Sequence, residues 1–256
     1  MKQILVLYFS GAGASEKVAE MIAACLQKEH KVELLSIEDA SGVDLNRYHA
    51  FVIGTPVYHA APSLKLIEYF EQIHPLDHKK PAFLYNTRAT WSCNTNPILA
   101  KLLIQKNIMT VMDRDYRSPA SDGSLLVPFV RRFFEFDKEL KRKINRDCLM
   151  FSGELEKHRH RGYLPRFRMS SIINAPNKLA GQLTTFRIHL HRERCIRCGK
   201  CIRECPHQAR KIDREGYPTF ISRMCENCYR CIHHCPGKAL SLSKRKTPEK
   251  LLEYQS

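Results

Sequence analysis

Eight of the eleven cysteines fall into two groups of identical spacing, Cys195-x-x-Cys198-x-x-Cys201-x-x-x-Cys205-Pro206 and Cys225-x-x-Cys228-x-x-Cys231-x-x-x-Cys235-Pro236, thirty residues apart. Three thiolates on so tight a loop can reach three irons of one cubane, while the fourth is carried away on the helix that follows. Pro206 and Pro236 break the backbone just beyond each fourth cysteine. Four-cysteine zinc sites also use C-x2-C pairs, but a zinc ribbon has no use for a third cysteine at the same spacing or for the repeated Cys-Pro. The pattern predicts two cysteine-ligated [4Fe–4S] clusters and hence electron transfer. Cys25, Cys93 and Cys148 are scattered and read as buried thiols.

A second set of residues is suited to a phosphate. The run Ser10-Gly11-Ala12-Gly13-Ala14-Ser15 lies where an apolar strand, Lys2–Tyr8, hands over to a helix, and a helix N-terminus binds phosphate through its free N–H groups. It is neither G-x-G-x-x-G nor a Walker loop, which disfavours a dinucleotide or a nucleoside triphosphate.

The elements that must carry these residues alternate along the first part of the chain. Strands are predicted at Lys2–Tyr8, Val32–Ile37, Ala50–Ile53, Ala82–Tyr85 and Ile108–Met112. Helices are predicted at Ser15–Lys28, Leu64–Ile73, Ile98–Lys106 and Pro128–Asp147, the last with Phe129, Phe133, Phe136, Leu140 and Ile144 on one face and seven Lys and Arg residues between Arg131 and Arg146. Alternation at this length indicates an α/β doubly wound parallel sheet. Residues 151–184, with Lys157-His158-Arg159-His160-Arg161 and two prolines, read as a basic connector. From Thr185, alternation of Phe186, Ile188 and Leu190 with polar residues predicts a strand leading into the first cysteine group. The expected domains are 1–150, a connector at 151–184, and 185–256.

Charge divides the chain the same way. Of the net +16, residues 1–136 contribute +1, residues 137–194 contribute +8 and residues 195–256 contribute +7. Arg194, Arg197, Lys200, Arg203, Arg223 and Arg230 lie in or beside the cysteine loops and should favour the reduced, more negative clusters, giving higher potentials than an acidic ferredoxin. No helix-turn-helix, RNA-binding or zinc-finger pattern accompanies the basic half, so no nucleic acid is expected. The charge points instead to an acidic redox partner protein. The chain has no apolar run long enough to span a bilayer, and its apolar start runs into the glycine loop without a cleavage site, from which a cytoplasmic protein is expected.

The glycine loop resembles the phosphate loop of flavodoxins, T/S-x-T-G-x-T. The resemblance continues in Gly54-Thr55-Pro56-Val57-Tyr58, similar to the loop lining one side of the flavin, and in Asn86-Thr87-Arg88-Ala89-Thr90-Trp91, at the place of the second flavin loop. Together with the cysteine runs, which match bacterial ferredoxins, the chain is similar to the flavodoxin–ferredoxin fusion proteins of anaerobic bacteria. That resemblance implies a flavodoxin-like five-stranded sheet of order 2-1-3-4-5 and a small α+β two-cluster ferredoxin domain. It also implies FMN at the switch point between strands one and three, with Tyr58 and Trp91 as ring-stacking candidates. Ala12 and Ala14 depart from the flavodoxin pattern. In two-cluster ferredoxins the fourth cysteine serves the other cluster, so the implied ligand sets are Cys195, Cys198, Cys201 and Cys235, and Cys225, Cys228, Cys231 and Cys205. The expected function is a relay of electrons between these clusters, FMN and a partner protein. The alternative is an FMN-dependent reductase of a small molecule fed by its own clusters, for which His59, Arg88 and Asn94 form no convincing acid/base pair.

Overall fold

The computed structural model describes residues 1–121, 135–157, 160–169, 188–221 and 224–242. Its first strand, β1 (Gln3–Tyr8), is buried from Ile4 onward, because the sheet is covered on both faces and no position alternates to solvent. β1 pairs in parallel with β2 (Lys31–Ser36) and β3 (Ala50–Tyr58), and β3 continues to β5 (Lys80–Arg88) and β6 (Ile108–Arg117). The order β2-β1-β3-β5-β6 is the expected five-stranded one. A two-residue strand, β4 (Ala61–Pro62), folds back as a spur on the end of β3.

Side-chain alternation sends Ile4, Val6 and Tyr8 to one face, against α1 (Ala14–Leu26) and α4 (Leu140–Leu155). Leu5, Leu7 and Phe9 face α2 (Leu64–Gln72) and α3 (Thr95–Ile104). Helices on both faces of a parallel sheet place the loops at its carboxyl edge beside one another, which brings the site residues together.

Three expectations are corrected. The last helix was expected over Pro128–Asp147. Residues 122–134, with Phe129 and Phe133, lie outside the described residues, Phe136 precedes the helix, and α4 starts only at Leu140. Asp137 starts it: its side chain accepts the Glu139 N–H at 3.0 Å and its carbonyl the Leu140 N–H at 2.9 Å. The helix then runs past Asp147, a polar residue that reads as a terminus but is 1% exposed, accepting hydrogen bonds from Tyr116 and Arg114 on β6. Cys148, Phe151 and Leu155 continue the apolar face. Its basic residues Lys141, Arg142 and Arg146 are in solvent.

Second, the two flavin loops are largely strand. β3 runs through Gly54–Tyr58 because β4 pairs with Val57 and Tyr58, and β5 runs to Arg88 because Asn86 and Thr87 pair with Thr55 and Pro56. The β3–β4 turn is His59-Ala60, both at positive φ (47° and 64°), as a two-residue primed hairpin turn requires.

Third, part of the connector is built into the first unit. Residues 151–155 end α4, and residues 160–169 lie along β6. The Tyr163 N–H donates to Thr110 O (2.8 Å), and Arg168 holds Asn94 through its backbone N–H and Ser92 and Asp115 through its guanidinium. This strap occupies one backbone carbonyl, Thr110 O, that an edge strand would otherwise leave open.

The C-terminal unit is small. β7 (His189–Leu190) pairs with β10 (Leu240–Ser241), and β8 (Arg210–Ile212) with β9 (Pro218–Phe220), all antiparallel. Two one-turn helices, α5 (Lys200–Arg203) and α6 (Arg230–His233), follow the two cysteine loops. Of the strand expected from Thr185, only its last residues fall within the described part, as β7. Among the described residues the buried core is Ile188, Tyr229, Ile232 and Leu240, with Leu190, Phe220, Leu242 and three cysteines packed against it, a small core for a unit without cofactors.

Candidate redox site

β1 ends in the loop Ser10–Ser15, and α1 begins at Ala14. Gly13, at φ +98°, makes the turn, a conformation that glycine adopts without strain. Its N–H donates to Ser10 Oγ (3.1 Å), and its carbonyl accepts from Lys17 to start the helix. Among the described residues the N–H groups of Gly11, Ala12, Ala14 and Ser15 have no acceptor. Four such donors at the positive end of a thirteen-residue helix fit a phosphate. Ala12 and Ala14 lack hydroxyls, but their backbone donors are in place. Ser15 Oγ lies 2.7 Å from Thr87 Oγ1, tying the loop to β5.

The other predicted flavin-site residues divide. Thr55 is buried, with its hydroxyl accepting the Ser63 N–H (3.0 Å) and donating to Pro56 O (3.1 Å). Tyr58 is half-buried, with its hydroxyl directly over Gly11: a Cβ there would sit 2.1 Å from Tyr58 Oη. Val57 and Pro56 belong to the β3 edge beside it. Trp91 is 54% exposed. Cys93 is buried near it at φ 46°.

The cysteines meet as two sets. One cavity is lined by Cys195, Cys198, Cys201 and Cys235, and a second by Cys205, Cys225, Cys228 and Cys231. The fourth cysteine of each motif therefore lies with the three of the other. The Ala209 N–H donates to Cys205 Sγ (3.2 Å) and the Ala239 N–H to Cys235 Sγ (3.3 Å), as the repeat demands, and the Asn227 N–H donates to Cys225 Sγ (3.3 Å). Donors aimed at sulfur favour thiolates. Burial acts against them, pushing the Cys201 and Cys225 thiols up to about 11 and Cys228 higher, so charge on these sulfurs has to come with bound metal. Four thiols spread around each cavity wall suit a cluster.

The second cavity abuts the phosphate loop. A Cβ on Gly11 would lie 2.9 Å from Cys228 O and 3.0 Å from Cys228 Cβ. Two polar side chains beside the cysteines, Arg230 and Glu226, fasten this contact. Arg230 donates to Ser10 O (2.6 Å) and Gly11 O (3.3 Å), pairs with both oxygens of Glu38 (2.7 Å each), and stands over the Phe9 ring. Glu226 accepts from Ser63 Oγ (2.9 Å) and Leu64 N (2.5 Å) at the start of α2, with His207 Nε2 2.9 Å away. At the margin, burial pushes the His233 pKa down to about 4, and the neutral ring donates its Nε2–H to Ser121 O (3.1 Å).

The remaining predicted cations face outward. Arg203 donates to Cys198 O, Arg197 stacks on Tyr217, and Arg194 is in solvent; Arg223 lies outside the described residues. Sequence reasoning missed the role of Glu226, the partnership of Arg230 with the glycine loop, and Arg210, which is buried against the second cavity.

A doubly wound sheet with an open phosphate loop, touching a module of two four-thiol cavities, defines an electron-transfer protein with a flavin half and an iron–sulfur half. Residues 5–112 match the family model described as a flavodoxin domain, and residues 187–236 that of a 4Fe-4S dicluster domain. The chain is a flavodoxin–ferredoxin fusion, and its cofactors are those of the two domains, FMN and two [4Fe–4S] clusters. Two curated relatives, the pyruvate synthase subunits PorD of Pyrococcus horikoshii and Pyrococcus abyssi, are each 39% identical over 51 residues, covering 20% of this chain and 45% of the relative. The chain thus spans about half the length of the curated relatives it matches. Among solved structures, a flavodoxin from the domain Archaea is 13% identical, covering 60% of this chain and 99% of its own, with a TM-score of 0.47. A flavodoxin of Streptococcus pneumoniae is 9% identical, covering 59% and 98%, with a TM-score of 0.46. No described helix is long and apolar enough to cross a membrane.

Proposed function

We propose that the protein relays electrons between a partner protein and its own FMN, with Cys195, Cys198, Cys201 and Cys235 holding the outer cluster and Cys205, Cys225, Cys228 and Cys231 the inner one. The observation that carries this reading is the contact of the Cys228 backbone with Gly11, which sets the second cavity against the phosphate loop. The clusters supply single electrons and FMN accepts one or two, so the pair joins one-electron to two-electron carriers. The residues do the positioning. Gly11, Ala12, Ala14 and Ser15 offer backbone donors to the phosphate, Tyr58 flanks the place of the ring, and Arg230 and Glu226 hold the cluster module on the flavin loops. Units 1–150 and 185–256 work as one body through these contacts, with the 151–184 connector partly strapped to β6. Anaerobic purification should yield about eight irons and one FMN per chain. Iron without flavin would remove the flavin half of the relay, and four irons or fewer would remove the crosswise ligand sets.

The outer cavity is the port for the partner. Cys198 is exposed, Ile196 is 66% exposed, and Arg194, Arg197 and Arg203 surround them in solvent. An apolar contact ringed by cations fits an acidic patch on an oxidoreductase, and the likeness to pyruvate synthase subunits supports a partner of that kind. Association should be fast at low salt and slow steeply as ionic strength rises through the physiological range. A rate indifferent to salt in stopped-flow mixing with a reduced acidic donor would exclude this port.

A further inference from the structure

The thirty-residue offset between the cysteine motifs carries Ala209 onto Ala239 and Arg210 onto Leu240. The two cavities differ at this position: Leu240 lines the outer one and Arg210 the inner one. Arg210 is only 5% exposed, is paired through its backbone with Phe220 and lies over that ring at 5.5 Å. Among the described residues its Nη2 has no hydrogen-bond partner. The carboxylate that shares the cavity, Glu226, is engaged by Ser63, Leu64 and His207. A buried guanidinium left in this state is costly unless an anion completes it. A [4Fe–4S] core with four thiolates is such an anion, since the thiolates outweigh the positive charge of the core.

We propose that Arg210 is the residue that makes the two clusters unequal, its Nη2–H and its charge raising the reduction potential of the inner cluster above that of the outer one. This rests on the ligand sets proposed above. A nearby cation and a hydrogen bond to cluster or cysteine sulfur both favour the reduced state, which carries one more negative charge. Leu240 offers the outer cluster neither. The arrangement gives the relay a downhill order, from the exposed port toward the flavin.

The test is an EPR-monitored redox titration of the full-length, cluster-loaded protein, comparing the native chain with Arg210→Leu and Arg210→Lys. Arg210→Leu installs the residue the repeat already uses at the matching place. The higher-potential wave should move down toward the lower one, while Arg210→Lys should keep most of the separation. Two unchanged waves in Arg210→Leu would overturn the proposal. Iron analysis separates the failures: about eight irons with unmoved waves counts against Arg210, whereas four or fewer in the native chain counts against the ligand sets. Should Arg210→Leu fail to load, the native protein grown with guanidino-15N-arginine supplies the answer. A 15N coupling to the first-reduced cluster that vanishes in Arg210→Lys supports the proposal, and its absence from the native protein overturns it.

Discussion

A Cys205→Ala variant is expected to damage the cluster built on the second cysteine motif and to leave the one on its own motif intact, and Cys235→Ala to do the reverse. The grouping of Cys205 with Cys225, Cys228 and Cys231 around one cavity, and of Cys235 with Cys195, Cys198 and Cys201 around the other, sets the direction of the effect. Iron should fall from about eight per chain to about four, or to about seven where a three-iron cluster survives the lost ligand. Double variants show which residues share a cluster, because two losses in one set overlap while losses in different sets add. Cys205→Ala with Cys228→Ala should retain the outer cluster, much as Cys228→Ala does alone. Cys205→Ala with Cys198→Ala should affect both clusters and, with so small a buried core among the described residues, unfold the module. If the pair Cys205 and Cys198 behaved like a single loss, the crosswise assignment would fall.

Both the cysteine motifs and the sheet were legible because their signals are local. Thiol spacing is a property of one short loop, and Ile4–Tyr8 or Ala82–Tyr85 announce a doubly covered strand by being apolar throughout. Where the signal weakens at an element's end, the reading stops short. β3 and β5 continue through Thr55, Asn86 and Thr87, polar residues that resemble loop but are buried and paired across the sheet. Asp147 resembled a helix terminus because nothing nearby in sequence announces that Tyr116 and Arg114 will satisfy it. The joint between the halves was illegible for the same reason in a stronger form. Arg230 meets Ser10 across 220 residues, and Glu226 meets Ser63 across 163, so no window of sequence contains both partners. Arg210 did have a sequence signal, its mismatch with Leu240 in the repeat. Only burial shows that this cation, unlike Arg194, Arg197 and Arg203, is withdrawn from solvent screening.

Arg230→Met is expected to loosen the cluster module from the phosphate loop while leaving both clusters loaded. The side chain ligates no metal, and methionine keeps much of its apolar stem. The variant loses donors to Ser10 O and Gly11 O and the bidentate pair with Glu38, leaving that carboxylate and two loop carbonyls without this partner. Removing one side of a buried, charge-assisted contact costs about 2–5 kcal/mol. Glu38 is 36% exposed at its side chain, so water repays part of the loss and the lower end applies, about 2 kcal/mol or roughly a thirtyfold shift from docked to undocked. With cluster-to-flavin contact made in the docked state, flavin reduction after rapid cluster reduction should slow, by up to that factor as the undocked state becomes populated. The connector around residues 160–169 should stay protected from protease, because its strap to β6 does not involve Arg230. Arg230→Lys keeps the charge but not the fork geometry and should fall between the two. Stopped-flow absorbance gives the decisive comparison: eight irons, one flavin and an unchanged rate in Arg230→Met would mean that the glycine-loop contact does not govern the relay. A slowed rate that returns on adding Glu226→Gln would be equally damaging, because Glu226 grips α2 on the same side of the joint and its loss should compound the effect.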